Sequence, residues 1–205
     1  MSSQVMPIEF DTERLRFRPW LERDRAPFAT MNADPEVMRY FPAPWTAAMS
    51  NEAIDRWLAD FDSRGWSNRA VELSETREFI GFIGLSIPRR ALPCTPCIEI
   101  GWRLAQARWK RGCATEGACA ALAIGFERLA LDEIVSFTAL LYAPSRRVME
   151  RIGLRDARGL RSSGRAGRAR APAPSPLSAP PGGVARPQGL TARCDPLLDP
   201  RWQRT

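Results

Sequence analysis

The stretch that most constrains this 205-residue chain runs from Ile98 to Gly125. It reads as a strand, a turn punctuated by one glycine, and a helix. Ile98-Glu99-Ile100-Gly101-Trp102-Arg103-Leu104 alternates apolar with polar residues as far as Trp102, the period of a strand. Trp109-Lys110-Arg111-Gly112-Cys113-Ala114 forms the turn, and Thr115-Glu116 opens a helix that ends near Arg128. The helix has a small apolar face of Ala118, Ala121, Leu122 and Gly125. A strand that delivers such a turn onto a helix start presents unpaired backbone N–H groups and the positive end of the helix dipole. Arg108, Lys110 and Arg111 add three cations beside it. The expected ligand is a phosphate or pyrophosphate, held by neither a P-loop nor a dinucleotide-fold spacing.

Composition removes several chemistries. The chain contains no histidine, which excludes histidine triads, histidine general bases and histidine metal ligands. Its length suits one ordinary domain with a real core. There is no run of about 18 apolar residues, and Met1–Phe10 lacks a signal-peptide pattern. With five cysteines in that context, the expectation is a cytoplasmic protein with no membrane partner. Cys94-Thr95-Pro96-Cys97 has the spacing of a metal or redox pair, with Cys113 and Cys119 as formal further ligands. No repeat of the spacing supports zinc, and no metal is expected. Cys113, at a helix start, is either a thiol of lowered pKa or a packed, unreactive one; the packed case is favoured.

The formal charge of +7 is unevenly placed. Residues 155–205 hold ten Arg against three Asp, the whole of the excess, while residues 1–154 hold twenty basic and twenty acidic side chains. The body is neutral, so a nucleic-acid role could run only through the tail.

In order along the chain, Leu15–Trp20 reads as a first strand and Leu21–Asn32 as a helix, with Asp34-Pro35-Glu36 starting a further turn. Thr46 or Ser50 begins an amphipathic helix with Ile54, Trp57, Leu58 and Phe61 on one face, ended by Gly65. Arg69–Leu73 and the nearly continuous apolar run Phe79–Leu85 read as strands joined by a hairpin. Glu133–Leu141 is a further strand, and Ser145–Ile152 a last helix with Ser145 as cap and Gly153 as terminator. Trp20, Trp57 and Trp102 are expected in the core or a groove wall. The order predicts an α+β fold, a mixed central sheet flanked by helices.

The Gly112 turn resembles the acetyl-CoA motif of the GNAT acetyltransferases, Gln/Arg-x-x-Gly-x-Gly/Ala, with Gly112 as the fixed glycine and Ala114 as the small residue. Together with Thr12–Trp20, the Glu-Ile-Gly-Trp strand and Ser145–Gly153, it is similar to the branch related to ribosomal-protein-alanine N-acetyltransferases. Lys110 replaces a glycine usual in that branch, and Cys113 replaces an aromatic residue. The resemblance implies an N-acetyltransferase using acetyl-CoA as co-substrate, without a metal. The acceptor would be a primary amine on a protein N-terminus or a small molecule, and the enzyme a monomer or homodimer. The backbone of Ile100, Gly101, Trp102, Arg103 and Leu104 would hold the pantetheine. Trp109, Lys110, Arg111, Gly112, Cys113, Ala114 and Thr115 would hold the pyrophosphate. Glu99 would help deprotonate the amine, unless it is a rim carboxylate answered by a neighbouring Arg. Tyr142 or Ser145 would protonate the departing thiolate, and Ser145 would also touch the cofactor. The family pattern Asn-x-x-Ser is here Tyr142-Ala143-Pro144-Ser145. A tyrosine hydroxyl does not reproduce an amide's paired donor and acceptor. A catalytically impaired CoA-binding remnant is therefore the alternative reading, beside a nucleic-acid- or ribosome-associated module.

The resemblance stops near Leu154. Residues 155–205, with eight prolines, show no strand of usable alternation and are expected to be disordered. The GNAT domain 1–154 would then lack its last two strands and leave a bare sheet edge. Either the tail is a basic arm for RNA or an acidic partner, or the reading frame changed near Leu154. The abrupt shift in composition, in a chain of 29 Arg and one Lys, favours the second.

Overall fold

In a computed structural model, which describes residues 10–89, 94–156 and 189–194, the elements follow the expected order with additions at both ends. The strands are β1 (Phe10–Asp11), β2 (Leu15–Arg18), β3 (Asn68–Leu73), β4 (Phe79–Ser86), β5 (Glu99–Leu104), β6 (Ile134–Ala139), β7 (Arg155–Asp156) and β8 (Gly189–Cys194). The helices are α1 (Arg25–Ala33), α2 (Ala47–Arg64), α3 (Cys113–Ala123, continued as a wider turn through Arg128) and α4 (Ala143–Arg151). The sheet order is β1-β2-β3-β4-β5-β6-β8-β7. Among the described residues only β5 and β6 pair in parallel.

Local chemistry sets the boundaries. Thr46 Oγ1 accepts from the Met49 amide at 3.2 Å and starts α2, and Gly65 ends it with a left-handed φ of 79°. Asp34 Oδ1 accepts from the Glu36 amide at 2.8 Å, holding the expected turn. One helix start differs from expectation: Tyr142, not Ser145, stands at the N-cap of α4, and Ser145 is buried inside the first turn. Pro144 explains the shift, since proline belongs in a helix's first turn and draws the start upstream.

Each sheet face carries its own core. Ile83, Leu85, Ile100 and Leu104 pack with Ala118, Ala121 and Leu122 of α3 and Met149 of α4. Trp20, Phe28, Ile54, Trp57 and Phe82 form the second cluster, under α1 and α2. β4, buried on both faces along most of its length, is the partition between them. A side chain at Gly81 would collide with the Arg103 carbonyl, so glycine there lets β5 lie close against β4.

The expectation that no strand lies beyond Leu154 is corrected. Gly189–Cys194 pairs antiparallel with the full length of β6, and Arg155–Asp156 pairs with β8 in turn. The physical reason is in the segment itself: Leu190-Thr191-Ala192-Arg193-Cys194 alternates at period two. An exposed β6 edge offers it a full row of backbone partners. The expected disorder of the intervening tail falls on residues outside the described ones. No helix among the described residues is long and apolar enough to cross a membrane.

A buried ion cluster joins the first half of the fold. Arg18 donates to Glu72 Oε2 (2.6 Å) and, bidentately, to Asp24 (2.6 and 2.8 Å), while Asp24 accepts from the Leu21 amide at 2.8 Å. These contacts tie β2 to β3 and to the entry of α1. Arg18→Met should cost about 3–5 kcal/mol, because it removes the bidentate partner of buried Asp24 and the nearest of the arginines around buried Glu72. Urea unfolding checks this, and a loss below about 1 kcal/mol would show that water reaches the cluster.

Candidate active site

The site begins where two strands part. The parallel ladder between β5 and β6 holds at one register pair, Glu99 opposite Val135, fixed by the Val135 amide donating to the Ile98 carbonyl at 2.9 Å. Ser136 Oγ then donates to the Ile100 carbonyl at 2.9 Å. Beyond that point Gly101–Leu104 stay paired with β4, and Ser136–Ala139 pair with β8. The Ile100 carbonyl faces β6, so the period of two aims the Trp102 backbone the same way, into the gap. A V-shaped opening with main-chain donors and acceptors on its β5 wall results.

The turn that follows is fastened to this wall. Trp109 Nε1 donates to the Leu104 carbonyl at 2.8 Å. Lys110 and Gly112 take left-handed φ values of 60° and 83°, reversing the chain onto α3. The helix starts at Cys113, two residues before the expected Thr115. Its first intrahelical bond runs from the Glu116 amide to the Gly112 carbonyl, so the amides of Cys113, Ala114 and Thr115 precede the ladder. Lys110, Arg111 and Gly112 are exposed, Ala114 and Thr115 half-buried, and Cys113 is a buried free thiol. Arg108 departs from expectation: its guanidinium is engaged by Glu78, away from the turn.

Glu116 braces the turn from behind. It accepts from Thr12 Oγ1 (2.5 Å), the Arg14 amide (3.0 Å) and Arg14 Nε (2.7 Å), while Arg14 Nη1 donates to the Arg111 carbonyl (2.9 Å). Burial works to raise the Glu116 carboxyl, but these donors outweigh it and hold the pKa below its ordinary value.

On the face under α1 and α2, the Arg103 side chain leaves β5 and is buried, 8% exposed. Its guanidinium lies 4.4 Å from the Phe41 ring, 4.3 Å from Trp45 and 5.7 Å from Phe82, and Nη1 donates to Asn32 Oδ1 at 2.7 Å. Among the described residues no carboxylate pairs with it, and Nε has no hydrogen-bond partner. Burial pulls its pKa down to about 10, against a smaller opposing pull from Tyr142. Tyr142, at the N-cap of α4 three residues past β6, is stacked on Tyr40 with ring centroids 4.5 Å apart. Burial, then Tyr40, raise its phenol above 10, partly offset by Arg103.

The expected residues thus occupy three stations. Glu99 is at the root of the V, Ile100 to Leu104 line one wall, and Tyr142 and Ser145 sit beyond the other wall at the start of α4. Glu99 and Arg103 share a sheet face but are four residues, roughly 13 Å, apart along the strand. Sequence reasoning missed the Arg103 side chain with Asn32, Phe41 and Trp45. Its signal was the run Glu99, Gly101, Arg103, which leaves one face of a central strand without apolar residues.

The sequence profile described as an acetyltransferase (GNAT) domain matches residues 14–155. The chain belongs to the GNAT acetyltransferases. It is 29% identical over 125 residues to an uncharacterized N-acetyltransferase p20 from Bacillus licheniformis, covering 60% of this chain and 68% of the relative. A crystal structure of an acetyltransferase from Agrobacterium tumefaciens superposes with a TM-score of 0.68 at 27% identity, covering 91% and 94% of the two chains. Mycobacterium smegmatis RimJ in complex with CoA-disulfide gives 0.60 at 17% identity over 89% and 82%, a likeness of fold alone.

In this GNAT domain Cys94 and Cys97 bond to each other, and no cluster of metal-ligating side chains occurs among the described residues. The depressed Glu116 carboxyl carries a pH signature. Its contribution is fully present above the unfolded-state pKa, about 4.3, and is lost as pH falls through the lower folded value. The stability gap between the native protein and Glu116→Gln should therefore be flat at neutral pH and close progressively below about pH 4. Denaturation at stepped pH checks this, and a gap that does not narrow as pH falls below about 4 would contradict it.

Proposed function

We propose that this GNAT protein moves an acetyl group from acetyl-CoA to a primary amine by direct transfer in a ternary complex. The observation that carries the reading is the V between β5 and β6, opening onto the Gly112 turn at the start of α3. The residues present fit the cofactor. The Cys113, Ala114 and Thr115 amides, exposed Lys110 and Arg111, and the side-chain-free Gly112 suit a pyrophosphate. The Gly101–Leu104 main chain suits an amide-bearing pantetheine arm. The motif Trp109–Glu116 supports membership of the branch related to ribosomal-protein-alanine N-acetyltransferases.

Acetyl-CoA supplies an acyl thioester, whose carbonyl carbon accepts the amine's lone pair and whose sulfur leaves as thiolate. The Trp102 N–H, aimed into the V, polarises the carbonyl and holds its developing negative charge. Glu99, half-buried at the root of the V, takes the amine proton through water. The Tyr142 phenol keeps its proton throughout the neutral range, since its pKa is raised, and can return one to the sulfur; buried Ser145 is the second candidate. The exchange of the family's asparagine for Tyr142 is then a working substitution, with a donor at the leaving group and a ring stacked on Tyr40.

Two variants test this. Gly112→Asp sets a carboxylate and a strained side chain against the pyrophosphate, and should abolish CoA binding in calorimetry; undiminished affinity refutes the site. Tyr142→Phe keeps the stack and removes the proton. It should lower kcat by about 10²–10⁴-fold with CoA affinity unchanged. An unchanged kcat would assign the proton to Ser145.

A further inference from the structure

The guanidinium of Arg103 is costly as it stands. A buried cation is normally answered by a carboxylate, as Arg18 is answered by Asp24 and Glu72. Arg103 has three ring faces and one amide oxygen, from Asn32, and its Nε is unpartnered. Ring faces attract a guanidinium but do not neutralise it; with Nη1 on Asn32 and Nε buried without a partner, its charge is left without an anion. The guanidinium also lies in the right part of the site. Arg103 flanks Trp102 and Leu104, whose backbones line the V, and its charge is felt by Tyr142 at the N-cap of α4. Phe41, whose ring lies 4.4 Å from the guanidinium, exposes apolar surface on the α1–α2 side, and Leu141, next to Tyr142 in the chain, is exposed too.

We propose that Arg103, with Asn32 beside it, is the anchor for a carboxylate carried by the acceptor, so that the preferred substrate is an amino acid rather than a polyamine. The proposal rests on the acetyltransferase reading and narrows it. An incoming carboxylate pairs with the guanidinium through the N–H groups that Asn32 does not take, a charge-assisted contact. It supplies the counter-charge that the fold leaves out and orients the substrate amine toward the V. A polycation at the same place would meet Arg103 as a like charge, with no carboxylate among the described partners to screen it. The exposed Phe41 and Leu141 favour an apolar or aromatic side chain on that amino acid.

The test uses the full chain with matched ligands. With acetyl-CoA present, thiol release is followed for phenylalanine, phenylalanine amide, phenethylamine and spermidine. Phenylalanine should exceed the amide and phenethylamine by at least tenfold in kcat/KM, with spermidine lowest. Arg103→Gln should erase the preference by raising KM for phenylalanine alone, and Arg103→Lys, which keeps the charge and loses the fork, should retain part of it. In parallel, thermal shift and calorimetry with CoA bound compare 3-phenylpropionate with 3-phenylpropionamide, which requires no turnover. Tighter binding of the acid in the native protein, lost in Arg103→Gln, supports the anchor even if every amine is inert; that result would sink the acetyl-transfer reading and leave this one standing. If the acid binds no better than the amide in the native protein, the anchor is overturned whatever the variants do. Where turnover is measurable, equal kcat/KM for phenylalanine and phenethylamine overturns it too, as does spermidine as the best acceptor.

Discussion

The site depends on a ladder that stops. β5 and β6 run parallel for one register pair, Glu99 with Val135, and then each continues with a different partner. Backbone groups in a sheet interior are normally all paired. A parallel pair that parts in mid-sheet therefore leaves main-chain donors and acceptors facing a gap they cannot bridge. The flanking strands make this tolerable. β4 holds β5 along Gly81–Ser86, and β8 holds β6 from Ile134 to Ala139, so neither strand loses its place when the two part. On the proposed reading, the gap receives the amides of a pantetheine arm and the helix start below the wall receives its phosphates.

Two buried arginines in this fold meet opposite fates, and the difference separates structure from function. Arg18 and Arg103 are almost equally buried, at 7% and 8% exposure. Arg18 is saturated by two carboxylates, which raise its pKa despite its burial. Arg103 is desolvated without an acid, and its pKa falls. The first arrangement locks β2, β3 and the entry to α1 into one unit. Among the described residues, the second is held by π faces and one amide. A fold does not gain stability from an unanswered cation, so its presence next to the V is best read through what it can receive.

The V and its turn were largely legible in the sequence, and the sheet end was not. Gly112 between cations, ahead of a small-faced helix, needed only local rules: a left-handed turn residue and the orphan amides of a helix start. Alternation in β5 and the continuous apolar run of β4 set their burial correctly. β8 was missed because the composition of 51 residues outweighed six, although Leu190-Thr191-Ala192-Arg193-Cys194 keeps a strand's period. Thr115 was taken for the start of α3 because the propensity of Thr-Glu is visible and the φ of Gly112 is not. The cage around Arg103 was beyond local reading. Asn32, Phe41, Trp45 and Phe82 come from α1, the loop after it and β4, so only the packed sheet brings them to one point.

The chain's two tyrosines carry the last step. Tyr40 comes from the loop between α1 and α2, Tyr142 from the N-cap of α4, and their rings stack at an interplanar angle of 18°. An asparagine at 142 could not reach across in this way, because an amide offers two hydrogen bonds and little apolar area. The exchange trades a local brace for a bridge from the loop that walls the Arg103 cage. The Tyr40–Tyr142 stack thus joins the cage to the start of α4. Any shift of the 40–46 loop that admits an acceptor to Arg103 also changes the burial of the Tyr142 phenol, and with it the hold on its proton. If Arg103 receives the acceptor and Tyr142 returns the proton, as proposed, the two roles are coupled through one ring contact, with the phenol's titration as its readout.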